Sequence, residues 1–211
     1  MTIERRFNPN AVAKVETRED GSKAISGYAA VFFDPSDPGT EYELWQNVFE
    51  RIDPQAFSRA IAEKHDCRAL FNHDANCVLG RVSAGTMRLS VDAKGLRYEI
   101  DCPDTQIAKD LCASIERGDI TGSSFSFIAK KRTWIEENDR EITVICDLDL
   151  CDVGPVVFPA YESTTSTVRS AELEQSREAW LAEKRQEACC GTAPGPKLAF
   201  LRLKEKPILS A

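Results

Sequence analysis

Apolar and polar positions alternate in short runs through roughly the first three quarters of the chain, the pattern of strands that cover a core with one face. Residues 11–17 alternate, Glu19-Asp20-Gly21-Ser22 marks a turn, and residues 24–33, with Tyr28, Val31 and Phe32, read as a second strand, which predicts a hairpin. The stretch Asp34-Pro35-Ser36-Asp37-Pro38-Gly39 is a loop by its Pro and Gly content, and Glu43 to Ile52 reads extended. Further strands are expected at 68–72, at 82–91, and at 96–101 after the turn Asp92-Ala93-Lys94-Gly95. Two more, at 124–135 and 140–150, are joined by Glu136-Glu137-Asn138-Asp139, and Val153 to Phe158 adds a last apolar run.

Two helical patterns interrupt the strands. Asp53 is placed to cap a helix of about ten residues with Pro54 at its first position and Ala56, Phe57, Ala60 and Ile61 on one face. The second runs from about Thr105 to Arg117, with Asp104 as cap, Ile107, Leu111 and Ile115 on one side, and Gly118 as stop. Many short strands with few helices predict an α+β fold built on a mainly antiparallel, closed or nearly closed β-barrel of about seven strands. After Arg169 the pattern changes: Ala171 to Ala188 is a polar, Glu-rich helical stretch, and Gly191 to Pro196 is a Gly/Pro linker. Lys197 to Ala211 then mixes Leu198, Phe200, Leu201 and Leu203 with basic residues. The expected organisation is a folded domain over 1–170 and a tail over 171–211.

At 211 residues the length suits one domain with tails. A formal charge of −7 and a pI near 5.0 argue against a nucleic-acid surface, which needs clustered Lys and Arg facing phosphates. No apolar run approaches the roughly twenty residues of a membrane span, and Met1 to Asn10 has no signal-peptide character, so a soluble protein in a reducing cytosol is expected. In that setting most of the eight cysteines read as small apolar fillers rather than disulfides. They form no C-x-x-C pair, and neither histidine stands at ligand spacing from them, so no metal and no other cofactor is expected.

With only two histidines, chemistry that needs a neutral-pH base has two candidates, His65 and His73. His73 lies in Asn72-His73-Asp74, directly after the apolar Ala69-Leu70-Phe71. Gly122-Ser123-Ser124-Phe125-Ser126-Phe127 supplies hydroxyls at the start of a strand, and Asp152 follows another strand. A His, a Ser and an Asp in that order invite a hydrolase reading, although geometry rather than sequence position defines a triad. Ser126 shares a strand face with Ser124 and Ser123 points the other way, so periodicity alone leaves all three as nucleophiles. A metal-dependent hydrolase using His73, Asp74 and nearby cysteines is a weaker alternative.

These stretches together resemble the prohead maturation proteases of tailed phages, a serine protease family similar in fold to the herpesvirus assemblins. The resemblance rests on Gly27-Tyr28-Ala29-Ala30-Val31-Phe32, on Leu70-Phe71-Asn72-His73-Asp74 with Val78-Leu79-Gly80-Arg81, and on Gly95-Leu96 with Pro103-Asp104-Thr105. It continues through Gly118-Asp119-Ile120 and Ser123-Ser124-Phe125-Ser126-Phe127 to Pro159-Ala160-Tyr161 and Arg169. By this resemblance the catalytic residues are His73, Ser124 and Asp152. Relatives commonly carry Glu at the third position, and assemblins use a second histidine there, which keeps His65 as a rival. Arg81 and Arg169 lie in matched motifs and are candidates either for the site or for structural ion pairs.

The resemblance implies a serine endopeptidase that processes the major capsid protein or its scaffold segment during procapsid maturation and cleaves itself. It implies action in the host cytoplasm, inside the assembling procapsid, whether the phage is free or an integrated prophage. The assemblin likeness further implies a homodimer. The alternative is a catalytically inactive scaffold or assembly protein on the same fold.

Overall fold

The computed structural model describes residues 2–8, 13–158 and 171–190. The chain falls into two units, Met1–Ser170 and Ala171–Ala211. The first contains eleven strands: β1 (Glu4–Asn8), β2 (Lys14–Thr17), β3 (Lys23–Val31), β4 (Tyr42–Trp45), β5 (Val48–Ile52), β6 (Arg68–Leu70), β7 (Val78–Arg81), β8 (Met87–Val91), β9 (Gly95–Asp101), β10 (Gly122–Glu137) and β11 (Arg140–Val156). Helix α1 (Ser58–Ala62) lies between β5 and β6, and α2 (Gln106–Glu116) between β9 and β10. The second unit is described through α3 (Ala171–Cys190), a polar helix with Glu172 and Glu174 in its first turn, where carboxylates oppose the helix dipole.

The expected α+β class and mostly antiparallel pairing hold, but the sheet does not close into a barrel. The strands form two sheets, one of seven strands in the order β1-β10-β11-β5-β4 with β6 and β7 attached beside β11, and one of four in the order β2-β3-β9-β8. Closure would require β1 or β4 to pair with β2 or β8; instead the sheets meet through side chains. Ile25, Leu96, Tyr98 and Ile100 of the smaller sheet share one core with Phe125, Phe127, Leu148 and Val153 of the larger. Phe57, Phe125 and Phe127 run through it with ring centroids 6.0 and 5.0 Å apart, within the favoured range for aromatic pairs.

The frame of the larger sheet is the long hairpin β10–β11, closed by Asn138 and Asp139, both left-handed at φ 52° and 61°, as a tight hairpin turn needs. The runs expected at 140–150 and 153–158 are therefore one strand, β11, which ends at Val156. β11 pairs in parallel with β5 along one stretch and with β6 along another. The extended stretch expected at 43–52 is a hairpin, β4–β5, with Asn47 left-handed at its turn. The hairpin β2–β3 and α2 stand where expected; the strand expected at 82–91 is shorter, since residues 82–86 are a turn and β8 pairs with β9 only from Met87 to Val91.

Both expected helix caps are corrected. Asp53 Oδ1 accepts the Gln55 N–H at 2.7 Å and its carbonyl accepts the Ala56 N–H, so residues 54–57 are a turn and α1 keeps only five residues. At α2 the cap is Thr105, whose hydroxyl accepts the Ala108 N–H, while Asp104 pairs with Lys109 on the surface. Cys67, Cys77, Cys102, Cys112, Cys146 and Cys151 are free thiols, with Cys67 and Cys112 fully buried as core fillers. Pro159-Ala160-Tyr161, Arg169, the 191–196 linker and the 197–211 end lie outside the described residues.

Candidate active site

Ser124 is set by β10, where alternation sends Phe125 and Phe127 into the core and Ser124 and Ser126 to the opposite face. In the β10–β11 register Ser124 faces Gly154 and Ser126 faces Asp152. The serine and the carboxylate are thus diagonal neighbours on adjacent strands. His73 reaches that diagonal from the loop joining β6 to β7.

Two consecutive left-handed residues, Asn72 at φ 54° and His73 at φ 57°, turn this loop towards the sheet. Asn and His tolerate that region better than most side chains, and such backbone persists where its surroundings hold it. Asn72 provides the hold: its N–H donates to the Pro155 carbonyl at 3.1 Å, and its Oδ1 accepts the Val157 N–H at 2.9 Å. Asp74 closes the loop from the other side, accepting the Asn76 N–H at 2.8 Å and the Asn76 side-chain amide at 2.9 Å. Those hydrogen bonds, the Asn76 N–H foremost, hold its carboxyl below the usual range.

His73 Nδ1 lies 2.5 Å from Asp152 Oδ1, and Nε2 lies 2.7 Å from Ser124 Oγ. A carboxylate beside Nδ1 holds the imidazole proton there and leaves Nε2 as an acceptor facing the serine hydroxyl. Ser124 Oγ also lies 2.9 Å from the Arg6 carbonyl of β1, so two acceptors face its single proton. The His73 and Asp152 side chains retain only 9% and 14% of their surface, which limits water around the imidazole without sealing it.

The other candidates are occupied elsewhere. Ser123 is fully buried on the core side, its hydroxyl 2.8 Å from that of Tyr98. Ser126 donates to Asp152 Oδ2. His65 sits beyond α1, its Nε2 3.1 Å from Glu63 and 3.2 Å from Arg59. Arg81 is held by Asp66 in a two-pronged ion pair. Among the described residues no group of three or more His, Cys, Asp or Glu is arranged to hold a metal ion, and no helix is long and apolar enough to cross a membrane.

Three contributors escaped the reading of the sequence: Asn72 as the loop anchor, the Arg6 carbonyl, and Gly154. A glycine inside a strand, next to Pro155, is a signal for close backbone approach. A Cβ at Gly154 would lie 2.1 Å from the Leu70 carbonyl oxygen, so β6 can come this near only because the side chain is absent. The Asn72 and Arg6 backbone contacts leave no pattern in the sequence.

A hydroxyl, an imidazole and a carboxylate stand in one hydrogen-bonded line on an α+β frame, an arrangement that hydrolases use to activate a serine. The chain belongs to the caudovirus prohead serine protease family, whose model matches residues 11–178, and is thereby a protease of capsid assembly and maturation. Among solved structures it is similar to the bacteriophage T4 capsid assembly protease, gp21, at 11% identity and a TM-score of 0.46, covering 75% of this chain and 97% of that one. No curated protein matches it.

Proposed function

We propose that the protein is a serine endopeptidase in which Ser124 is the nucleophile, His73 the general base and acid, and Asp152 the residue that orients His73. The observation that carries this reading is the continuous line from Asp152 Oδ1 through His73 to Ser124 Oγ, at 2.5 and 2.7 Å. A serine hydroxyl is a weak nucleophile at neutral pH. As Oγ attacks the scissile carbonyl carbon, its proton passes to His73 Nε2, and the imidazolium is stabilised by Asp152. The tetrahedral intermediate collapses when that proton moves to the leaving amine, giving an acyl-enzyme on Ser124. Water, deprotonated by His73 in turn, then releases the acyl product.

The substrate is the major capsid protein or its scaffold segment, and the chain also cleaves itself, in keeping with the family to which it belongs. It acts within the assembling procapsid in the host cytoplasm, through a protease domain over 1–170 carrying a tail over 171–211. The two-sheet frame is a relative of the assemblin fold, and the protein works as a homodimer; sedimentation of the purified chain reads its mass directly.

Co-expression of the full chain with its capsid protein tests the chemistry. The wild type yields capsid fragments and a shortened form of itself, and both disappear in Ser124→Ala and in His73→Ala, the double variant being little worse because the residues act as one unit. Normal processing by Ser124→Ala overturns the assignment, and no processing by the wild type favours the inactive scaffold protein.

A further inference from the structure

Ser126 is 1% exposed, so its hydroxyl must find a partner within the protein, and it finds Asp152 Oδ2. The two residues are register partners across the β10–β11 ladder, the closest cross-strand relation a sheet offers. Asp152 Oδ1 is the atom that meets His73 Nδ1. Each carboxylate oxygen therefore has its own donor, one from the imidazole and one from Ser126.

We propose that Ser126 is a positioning residue, which fixes the plane of the Asp152 carboxylate and so aims His73 at Ser124. The inference rests on the Ser124–His73–Asp152 reading and adds a fourth member to it. With a single hydrogen bond to Oδ1 the carboxylate is free to rotate about its Cβ–Cγ bond and carry the imidazole with it. A second donor on Oδ2, held by the same sheet that carries Ser124, removes that freedom. Because Ser126 is a neutral donor, it leaves the carboxylate charged, as the imidazolium formed during attack requires. The same contact sets Ser126 apart from the nucleophile: its proton is directed to a carboxylate, whereas His73 Nε2 faces Ser124 Oγ. The repeated serine in Ser124-Phe125-Ser126 thus has two distinct duties on one face of β10.

The test uses the purified full chain with a fluorophosphonate probe that acylates an activated serine, read as a limiting rate and a half-saturating concentration. Ser126→Ala is expected to lower the limiting rate about 10- to 100-fold, the usual effect of removing a hydrogen bond that orients a functional group, with half-saturation unchanged. Ser126→Thr, which keeps the hydroxyl on a strand-compatible side chain, restores the rate to within a few-fold. In an Asp152→Asn background Ser126→Ala has no further effect, whereas a purely structural role would lower the rate again; if the alanine variant folds poorly, Ser126→Thr still tests the hydroxyl, and a loss of rate there despite a native fold overturns the proposal. Wild-type labelling by Ser126→Ala, with none by Ser124→Ala, overturns the proposal and leaves the nucleophile assignment standing. Labelling that survives Ser124→Ala and vanishes in Ser126→Ala makes Ser126 the nucleophile and overturns both.

Discussion

Gly154 faces Ser124 across one ladder, and a methyl group there would press into the Leu70 carbonyl at the end of β6. That end leads directly into the loop carrying His73, so the push would disturb the placing of the imidazole against the serine. Displacement of a catalytic group by about 1 Å costs on the order of a hundredfold in rate. Gly154→Ala is expected to lower processing by at least that factor while circular dichroism stays that of the wild type. Asp152 makes a different prediction, because replacing it by Asn keeps the shape and removes the charge. Asp152→Asn should slow acylation by about a thousand- to ten-thousand-fold, since the amide no longer stabilises the imidazolium and can favour the wrong tautomer. Single-turnover labelling measures this without a known cleavage sequence.

Strand β1 is more than an edge. Its Arg6 carbonyl touches Ser124 Oγ, and its Arg6 side chain is buried against Glu50 of β5, Nε to Oε1 at 2.5 Å and Nη2 to Oε2 at 2.9 Å. Glu4 and Arg132 complete a group of two carboxylates and two guanidiniums, with Glu50 fully buried. Burial pushes the Glu4 carboxyl up despite the neighbouring Arg6 and Arg132, so the charges are held together at a cost in desolvation. Removing one partner of such a set leaves an uncompensated buried charge, worth about 3–5 kcal/mol. Glu50→Gln is therefore expected to lose about 3 kcal/mol or more, seen as a lower urea midpoint with an unchanged slope.

At the scale of the whole molecule, acid is the condition that tests the surface electrostatics. Hydrogen bonds from Arg81 hold Asp66 below the usual carboxylate range, those from Arg88 do the same for Asp101 and Glu99, and those from Lys130 and Arg59 for Asp149. Each of these groups binds a proton less readily folded than unfolded. Their contribution is complete above the unfolded carboxylate value near pH 4 and is lost as pH falls below it. Glu4, with its raised value, works in the opposite sense. Thermal midpoints measured from pH 7 down to pH 2 should be level at first and then fall below about pH 4; a midpoint that rises in acid would show that Glu4 outweighs the surface pairs.

Much of this protein was determined locally and could be read in one dimension. The period-two runs marked most strands, Gly118 stopped α2, and Asn72-His73-Asp74 with the Ser-Ser-Phe-Ser-Phe run marked the residues that now stand within hydrogen-bond reach of one another. These features depend on neighbours a few positions apart, where backbone preference and side-chain alternation act directly. The single strand β11 was not legible, because Cys151-Asp152 separates the apolar runs at 140–150 and 153–158, and only pairing with β10 and β6 carries the strand through it. Asp53 carries the signature of a helix cap, yet its turn ends in a five-residue helix, since so short a segment takes its form from the strands it joins rather than from propensity. Two stacked sheets in place of a barrel, the parallel pairings of β11, and the placing of Ser126 beside Asp152 were decided only in three dimensions. Each depends on which distant strands lie side by side, and the alternation of apolar and polar residues is the same whichever neighbour a strand receives.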